Sequence, residues 1–212
     1  MINSTWSLYS LILVVIALLG VYLWYEAQAV SPKELALVAT LAALAGLGRV
    51  PFAAIPSAQP TTFLVLVSGY VFGSVPGFMI GSLAAFASNF FLGHGPWTPW
   101  QMAAWGLVGV SGGICSCYKG GLMRWLLVLV AFVWGFLFGW ILNFWHWLAF
   151  VYPLTFKSYL ATVMAGVWFD LVHGVTNAIF MSLMGADLIQ VLTRFKRRLI
   201  ITSLPVGQIR RD

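Results

Sequence analysis

Three polar residues near the C-terminal end of the chain, Asp170, His173 and Asn177, lie within a long apolar segment. Their spacing of three and then four residues puts them on one face of a helix. Inside an apolar helix, such groups either bind a polar ligand or a proton, or join neighbouring helices by hydrogen bonds. Both interpretations stay open. Asn177 lies furthest from the start of the segment, so we rank Asp170 above it for ligand contact and expect Asn177 to join helices.

A second group of candidate residues follows the loop 93–99, which combines glycine, proline, aromatic and polar residues. Trp97 and Trp100 can stack on a planar ligand, and the amide of Gln101 can bind the polar edge of that ligand. Tryptophans also form a belt where helices leave a membrane, and this alternative stays open for each ring. The predicted ligand contacts are Trp97, Trp100, Gln101, Asn89, Asp170 and His173.

The sequence contains no motif of a known enzyme class. It has no Gly-x-x-x-x-Gly-Lys-Ser/Thr loop to bind ATP, and neither a His-Glu-x-x-His nor a Gly-x-Ser-x-Gly motif. Only five residues are acidic. Cys115 and Cys117 offer too few ligands for a structural zinc site, and we expect them to be free thiols. We therefore predict a protein that is not an enzyme and that has no cofactor and no metal.

The elements that position these residues must lie in a membrane. Of the 212 residues, 61% are hydrophobic and 8% are charged, whereas ordinary globular domains carry roughly 25% charged residues. A span needs about 20 apolar residues. Prolines break the second to fourth segments, as in transporters. The composition predicts an all-α membrane protein of about seven helices, at 6–25, 34–48, 60–73, 77–92, 100–117, 122–148 and 158–185.

The basic residues predict how this multi-pass protein is oriented in the cell membrane. With the C-terminus in the cytoplasm, nine basic residues face inward and two, Arg49 and Lys157, face outward. Cytoplasmic loops carry such an excess, so we expect the N-terminus outside and a ligand pocket among the outer loops 49–59, 93–99 and 149–157. The inward residues suit anionic lipid rather than nucleic acid; they are Lys33, Lys119, Arg124, Arg194, Lys196, Arg197, Arg198, Arg210 and Arg211.

Small residues recur every four positions in two segments. Gly69, Gly73, Gly77 and Gly81 form one series, and this spacing lets helices approach closely. We expect these glycines to pack inside the bundle. The pair Ala39 and Ala43 has the same spacing, and it either packs internally or forms a docking surface for another membrane subunit.

Several of these stretches together resemble the S components, the substrate-specific subunits of energy-coupling-factor (ECF) vitamin transporters. The most specific is the Gly-Pro-Trp-Thr-Pro-Trp-Gln string at 95–101. The resemblance covers about residues 33–200, and among subgroups it is closest to proteins assigned to cobalamin or left unassigned. The other matching stretches are Pro56–Leu64, Gly69–Gly73, Ser88–Met102 and Phe169–Asn177.

The resemblance implies a six-helix bundle that captures a vitamin from outside. It also implies docking, through an Ala-x-x-x-Ala surface matched here by Ala39 and Ala43, on a transmembrane coupling subunit driven by two ATPases. The helix at 6–25 departs from the family pattern. We thus expect an extra N-terminal helix at 1–30, a six-helix domain at 31–190 and a basic cytoplasmic tail at 191–212.

Two other classes of function stay open. A self-sufficient carrier driven by an ion gradient would use Asp170 and His173 to relay protons. A membrane assembly protein would bind no small ligand. The residues alone do not choose among the three classes.

Overall fold

The computed structural model describes residues 4–28, 30–118 and 123–199. Within these ranges the chain forms seven α-helices, one short 3-10 helix at Val50–Phe52 and no β-strand. The helices are α1 (Ser4–Glu26), α2 (Pro32–Leu47), α3 (Thr61–Phe72), α4 (Ser74–Leu92), α5 (Thr98–Cys115), α6 (Met123–Phe150) and α7 (Phe156–Leu199).

These helices coincide with the predicted apolar segments, and the all-α membrane fold class is confirmed. Among the described residues, five helices are long and apolar enough to cross a membrane: α1, α2 with the 3-10 helix, α4, α6 and α7. The last helix is longer than predicted, because its 44 residues continue past the apolar segment into the basic one. It therefore runs through position 190, where we expected the six-helix domain to end and the basic tail to begin. Lys119 and residues 200–212 lie outside the described residues.

Helix α3 is a short helix that other helices enclose. Its 12 residues extend about 18 Å, less than the roughly 30 Å of a membrane core. Nine of these residues are buried, since α4, α5 and α7 pack around the helix. Protein contacts thus replace lipid contacts along it, which is the condition under which short helices persist at membrane depth. It ends at Gly73, where a φ of +105° suits glycine.

Glycines bring α3, α4 and α5 into backbone contact. A methyl group built on Gly109 would overlap the backbone of Gly77, and one built on Gly81 would overlap the backbone of Trp105. Gly69 likewise faces Gly109. The prediction of internal packing is confirmed for Gly69, Gly77 and Gly81. Gly73 is different, because nothing lies within 4 Å of its built methyl group and its role is the turn between α3 and α4.

The remaining helices flank this centre. Helices α6 and α7 form a pair in which Gly135 meets the backbone of Gly174, and α7 also packs on α3. Helix α1 lies outermost, against α5 and α6. Of its described side chains only Leu18 and Tyr25 are buried. The hydroxyl of Tyr22 donates to Ser82 Oγ on α4 at 3.0 Å.

We expect Gly109→Ala to destabilise the bundle, because the new methyl group meets backbone atoms that have no rotamer to change. Overpacking of this kind costs about 1–3 kcal/mol or more. Gly20→Ala is the matched control, since nothing lies within 4 Å of a methyl group built there. Thermal unfolding of the two purified variants measures the difference. Equal melting temperatures would contradict the backbone-contact interpretation.

Candidate ligand-binding site

Three loops meet at one end of the bundle. They connect α2 to α3, α4 to α5, and α6 to α7, and they include the loops predicted at the ligand-binding face. The side chain of Arg49, after α2, reaches Ser88 near the end of α4 at 3.0 Å. The ring of Trp97, before α5, lies 6.1 Å from the ring of Trp145 near the end of α6. These contacts bring the ends of α2, α4 and α6 together.

The loop between α2 and α3 is folded on itself. Consecutive turns link Phe52 N to Arg49 O, Ile55 N to Phe52 O, and Ala58 N to Ile55 O, at 2.9–3.3 Å. Ser57 has a φ of +62°, a left-handed conformation uncommon for residues other than glycine. Prolines at 51, 56 and 60 restrict the backbone further. The loop is therefore an ordered cover over this end of the bundle.

Arg49 holds this cover to the helices beneath it. Its Nε donates to Gln59 Oε1 at 2.7 Å, and its Nη1 donates to Ser88 Oγ at 3.0 Å and to Asn89 Oδ1 at 3.1 Å. The guanidinium also lies over the Trp105 ring, 4.8 Å from its centre. Arg49 thus joins the loop, α4 and α5 through one charged group.

Two of the predicted ligand contacts form the layer that positions Arg49. Asn89, which accepts from Arg49, donates through Nδ2 to Gln101 Oε1 at 2.8 Å and to Thr98 Oγ1 at 3.1 Å. Asn89 is only 2% exposed, so its amide orientation is fixed by these partners. The network therefore links Arg49 to the start of α5, and no residue of the 93–97 loop lines the cavity described below.

Beneath the cover lies a cavity of about 470 Å³. Its walls come from the α2–α3 loop, the end of α4, and facing stretches of α6 and α7. The lining residues are Arg49, Phe52, Ala53, Ile55, Pro56, Ser57, Gln59, Leu92, Phe138, Gly139, Leu142, Asn143, Gly166, Phe169, Asp170 and His173. Pockets for small ligands have volumes of about 300–1,000 Å³ and combine apolar walls with a few polar groups, and this cavity has both properties.

Asp170 is the acidic residue of this lining. It is 5% exposed, and its Oδ2 has no hydrogen-bond partner within the described chain. Glycine at position 139 makes room for it, because a methyl group built there would overlap the Asp170 carboxyl. No hydrogen bond joins Asp170 to His173, which lies on the same helix, in the described structure. Of the two residues, His173 is the one with a hydrogen bond to a neighbouring helix, at Thr62 of α3.

His173 is held by a hydrogen-bonded chain. The Thr62 hydroxyl accepts from Trp105 Nε1 at 3.0 Å and lies 2.9 Å from His173 Nε2. A hydroxyl can donate one hydrogen bond and accept two, so the tautomer of His173 decides whether Thr62 or Nε2 is the donor. Nδ1 has no partner among the described residues, and His173 lines the cavity.

The structure thus brings two of the six predicted ligand contacts, Asp170 and His173, into one cavity. Asn89 and Gln101 lie behind Arg49. The rings of Trp97 and Trp100 pack against α6, Trp100 at 6.0 Å from Phe144, and neither ring lines the cavity. Ligand stacking by these two rings stays a prediction. Asn177 donates to the Ala131 carbonyl of α6 at 3.2 Å, in agreement with its predicted role of joining helices.

Sequence reasoning did not select Arg49 as a ligand contact. One signal could have found it: Arg49 is the sole Asp, Glu, Lys or Arg between Glu34 and Lys119. A single charge in so long an apolar stretch is a functional candidate. Asn143 of α6 was not selected either, and it too lines the cavity.

A helical membrane bundle with a partly polar cavity under an ordered loop defines a membrane protein suited to hold a small molecule. Comparison with known families identifies it further. The model of the family "ECF transporter, substrate-specific component" matches residues 33–194, and the chain belongs to this family. The matched region begins in α2 and excludes α1.

Curated relatives give a weaker match. The chain is 28% identical over 89 residues to UPF0397 proteins of Vibrio atlanticus, Aliivibrio fischeri and Aliivibrio salmonicida, and each match covers 40% of this chain and 48% of the relative. The chain thus spans about half the length of the curated relatives it matches. No solved structure gives a significant match.

We expect Arg49→Ala to destabilise the protein, because it leaves Gln59, Ser88 and Asn89 without their shared partner. Asn89 is buried, and leaving its Oδ1 without a donor costs about 1–3 kcal/mol. The control is Arg124→Ala, which removes an exposed arginine that donates to the Ser182 carbonyl at 2.8 Å. Thermal unfolding compares the two variants. A loss no larger for Arg49→Ala than for Arg124→Ala would show that Arg49 does not hold the loop.

Proposed function

We propose that this protein is the substrate-capturing subunit of an ECF-type importer. It takes a vitamin or a related micronutrient from outside the cell into the cavity under the α2–α3 loop. A separate coupling subunit and two ATPases then drive delivery. The observation that carries this proposal is the cavity itself, in which the buried Asp170 has an unpartnered oxygen within apolar helices. Family membership supports the same function.

The charge distribution supports an outward-facing cavity. At the cavity end the described helices and loops carry Arg49 and Lys157. At the opposite end they carry Lys33 and Arg124, and the end of α7 adds Arg194, Lys196 and Arg197. Because basic residues concentrate on the cytoplasmic side, the cavity end faces outward in this proposal. The same orientation puts the N-terminus outside and the C-terminus in the cytoplasm.

The exposed face of α2 supports docking on a coupling subunit. Ala39 and Ala43 are exposed, whereas Ala42 between them is 3% exposed. Small side chains on an outer face let a partner helix approach closely. Ala39 also borders an apolar cleft of about 670 Å³ between α1 and α2. In this proposal α1 lies beside the docking surface.

The volume of the cavity limits the size of the ligand. Cobalamin, which the resemblance favoured, stays a prediction. A corrinoid is much larger than the ligands that pockets of about 300–1,000 Å³ hold, and the cavity of about 470 Å³ is at the lower end of this range. The volume therefore favours a smaller vitamin or micronutrient.

We expect the purified chain to retain a small molecule that native mass spectrometry detects as an added mass. Liposomes that contain the chain alone should show no proton-driven uptake of that molecule, because delivery needs the partner subunits. Uptake by the chain alone under a proton gradient would instead establish the self-sufficient carrier. A chain that binds nothing from vitamin mixtures or growth-medium extract would contradict substrate capture and favour an assembly protein.

We expect Ala39→Leu combined with Ala43→Leu to abolish transport in cells that contain the partner subunits while binding stays intact, because the larger side chains block helix approach. Ala42→Leu is the control on the buried face of the same helix, and it should lower stability. Radiolabelled uptake and binding measure the two properties separately. If the double variant unfolds and loses binding, the alanine pair belongs to the internal packing.

A further inference from the structure

Two oppositely charged side chains line the cavity without pairing with each other. Arg49 comes from the end of α2 and is tied to α4, whereas Asp170 comes from α7 and lies against Gly139 of α6. No ion pair joins them in the described part of the chain. Unpaired charges in an apolar setting are costly, so a bound molecule that accepts from Arg49 and donates to Asp170 would be stabilised in this cavity.

The guanidinium of Arg49 keeps unused donors. Of its five N–H groups, those on Nε and Nη1 donate to Gln59, Ser88 and Asn89. The Nη2 amino group has no acceptor among the described residues. Since Arg49 lines the cavity, these two donors are available to an acceptor there. A carboxylate or a carbonyl oxygen has the matching chemistry.

The carboxyl of Asp170 presents the opposite requirement. The residue is 5% exposed, and its buried Oδ2 lacks a donor. Buried polar atoms are nearly always hydrogen-bonded. The oxygen therefore lacks a hydrogen-bond donor, which an N–H or an O–H group can supply, and a positively charged nitrogen binds a carboxylate most strongly.

Resting on the function proposed above, we propose that the substrate is a small amphoteric molecule. Its basic or N–H-bearing nitrogen binds Asp170, and its carboxylate or carbonyl oxygen binds Arg49. The part between these groups contacts apolar walls that include Phe52, Phe138 and Phe169. His173 and Asn143 supply further polar contacts. A wholly apolar lipid would leave both charges unsatisfied, and a simple anion would leave Asp170 unsatisfied.

The test begins with the molecules that the full-length wild-type protein releases on denaturation, after growth in rich medium. Exact mass and chemical derivatisation of amino and carboxyl groups identify them, and the identified molecule is then titrated back. Asp170→Asn should bind it about tenfold more weakly or worse, because a charged acceptor becomes a neutral amide of the same shape. Asp187→Asn removes an exposed carboxylate from the same helix and should bind as the wild type does.

A second variant tests the same inference if Asp170→Asn does not fold. Gly139→Ala puts a methyl group where the Asp170 carboxyl lies, and the flexible carboxyl can move without the helices moving. It should weaken binding by a similar factor while the melting temperature stays near that of the wild type.

The outcomes separate this inference from the proposed function. A released molecule with no N–H or basic nitrogen would overturn the amphoteric substrate, and so would unchanged binding in both Asp170→Asn and Gly139→Ala. Substrate capture itself would stand in either case. A wild-type protein that releases nothing, and that binds nothing from the growth-medium extract, would overturn both.

Discussion

The structure depends on the hydrogen bonds of one charged group, the guanidinium of Arg49, at one end of an apolar bundle. Arg49 donates to the loop that follows α2 and to two residues of α4. Asn89, which accepts from Arg49, donates in turn to Thr98 and Gln101 near the start of α5. The hydrogen bonds keep the loop against the helices, and the cavity exists because the loop is held there.

The glycine contacts show how a rigid scaffold and an open cavity occur in one small bundle. Where α3, α4 and α5 meet, glycines let backbone touch backbone and leave no space, as at Gly77 and Gly109. Between α6 and α7, glycines have two different effects on the packing. Gly135 meets Gly174 closely, whereas one turn further Gly139 makes room for the Asp170 carboxyl. Close packing thus fixes the distance between the two helices, and the next glycine places a carboxyl in the space between them.

Much of the fold follows from the sequence, because apolar length and proline positions determine where membrane helices begin and end. The spacing of Asp170 and His173 predicted that they share a face, and they do line one cavity. The length of α7 was missed, since lysine and arginine end an apolar segment without ending a helix. The role of Arg49 was also missed, because the sequence does not show whether an arginine at a helix end turns outward or is covered by the loop that follows. The rings of Trp97 and Trp100 pack against α6 and do not line the cavity, and residue spacing alone does not specify such side-chain packing.

The central claim is that the ligand lies between Arg49 and Asp170 under the α2–α3 loop. The most direct measurement is an experimental structure of the purified protein with its retained small molecule bound. The account predicts that this molecule fills the cavity, with an oxygen within hydrogen-bonding distance of Arg49 Nη2 and a nitrogen within hydrogen-bonding distance of Asp170. A molecule bound instead among Trp97, Trp100 and the loop before α5, with the cavity beside Asp170 empty, would contradict it.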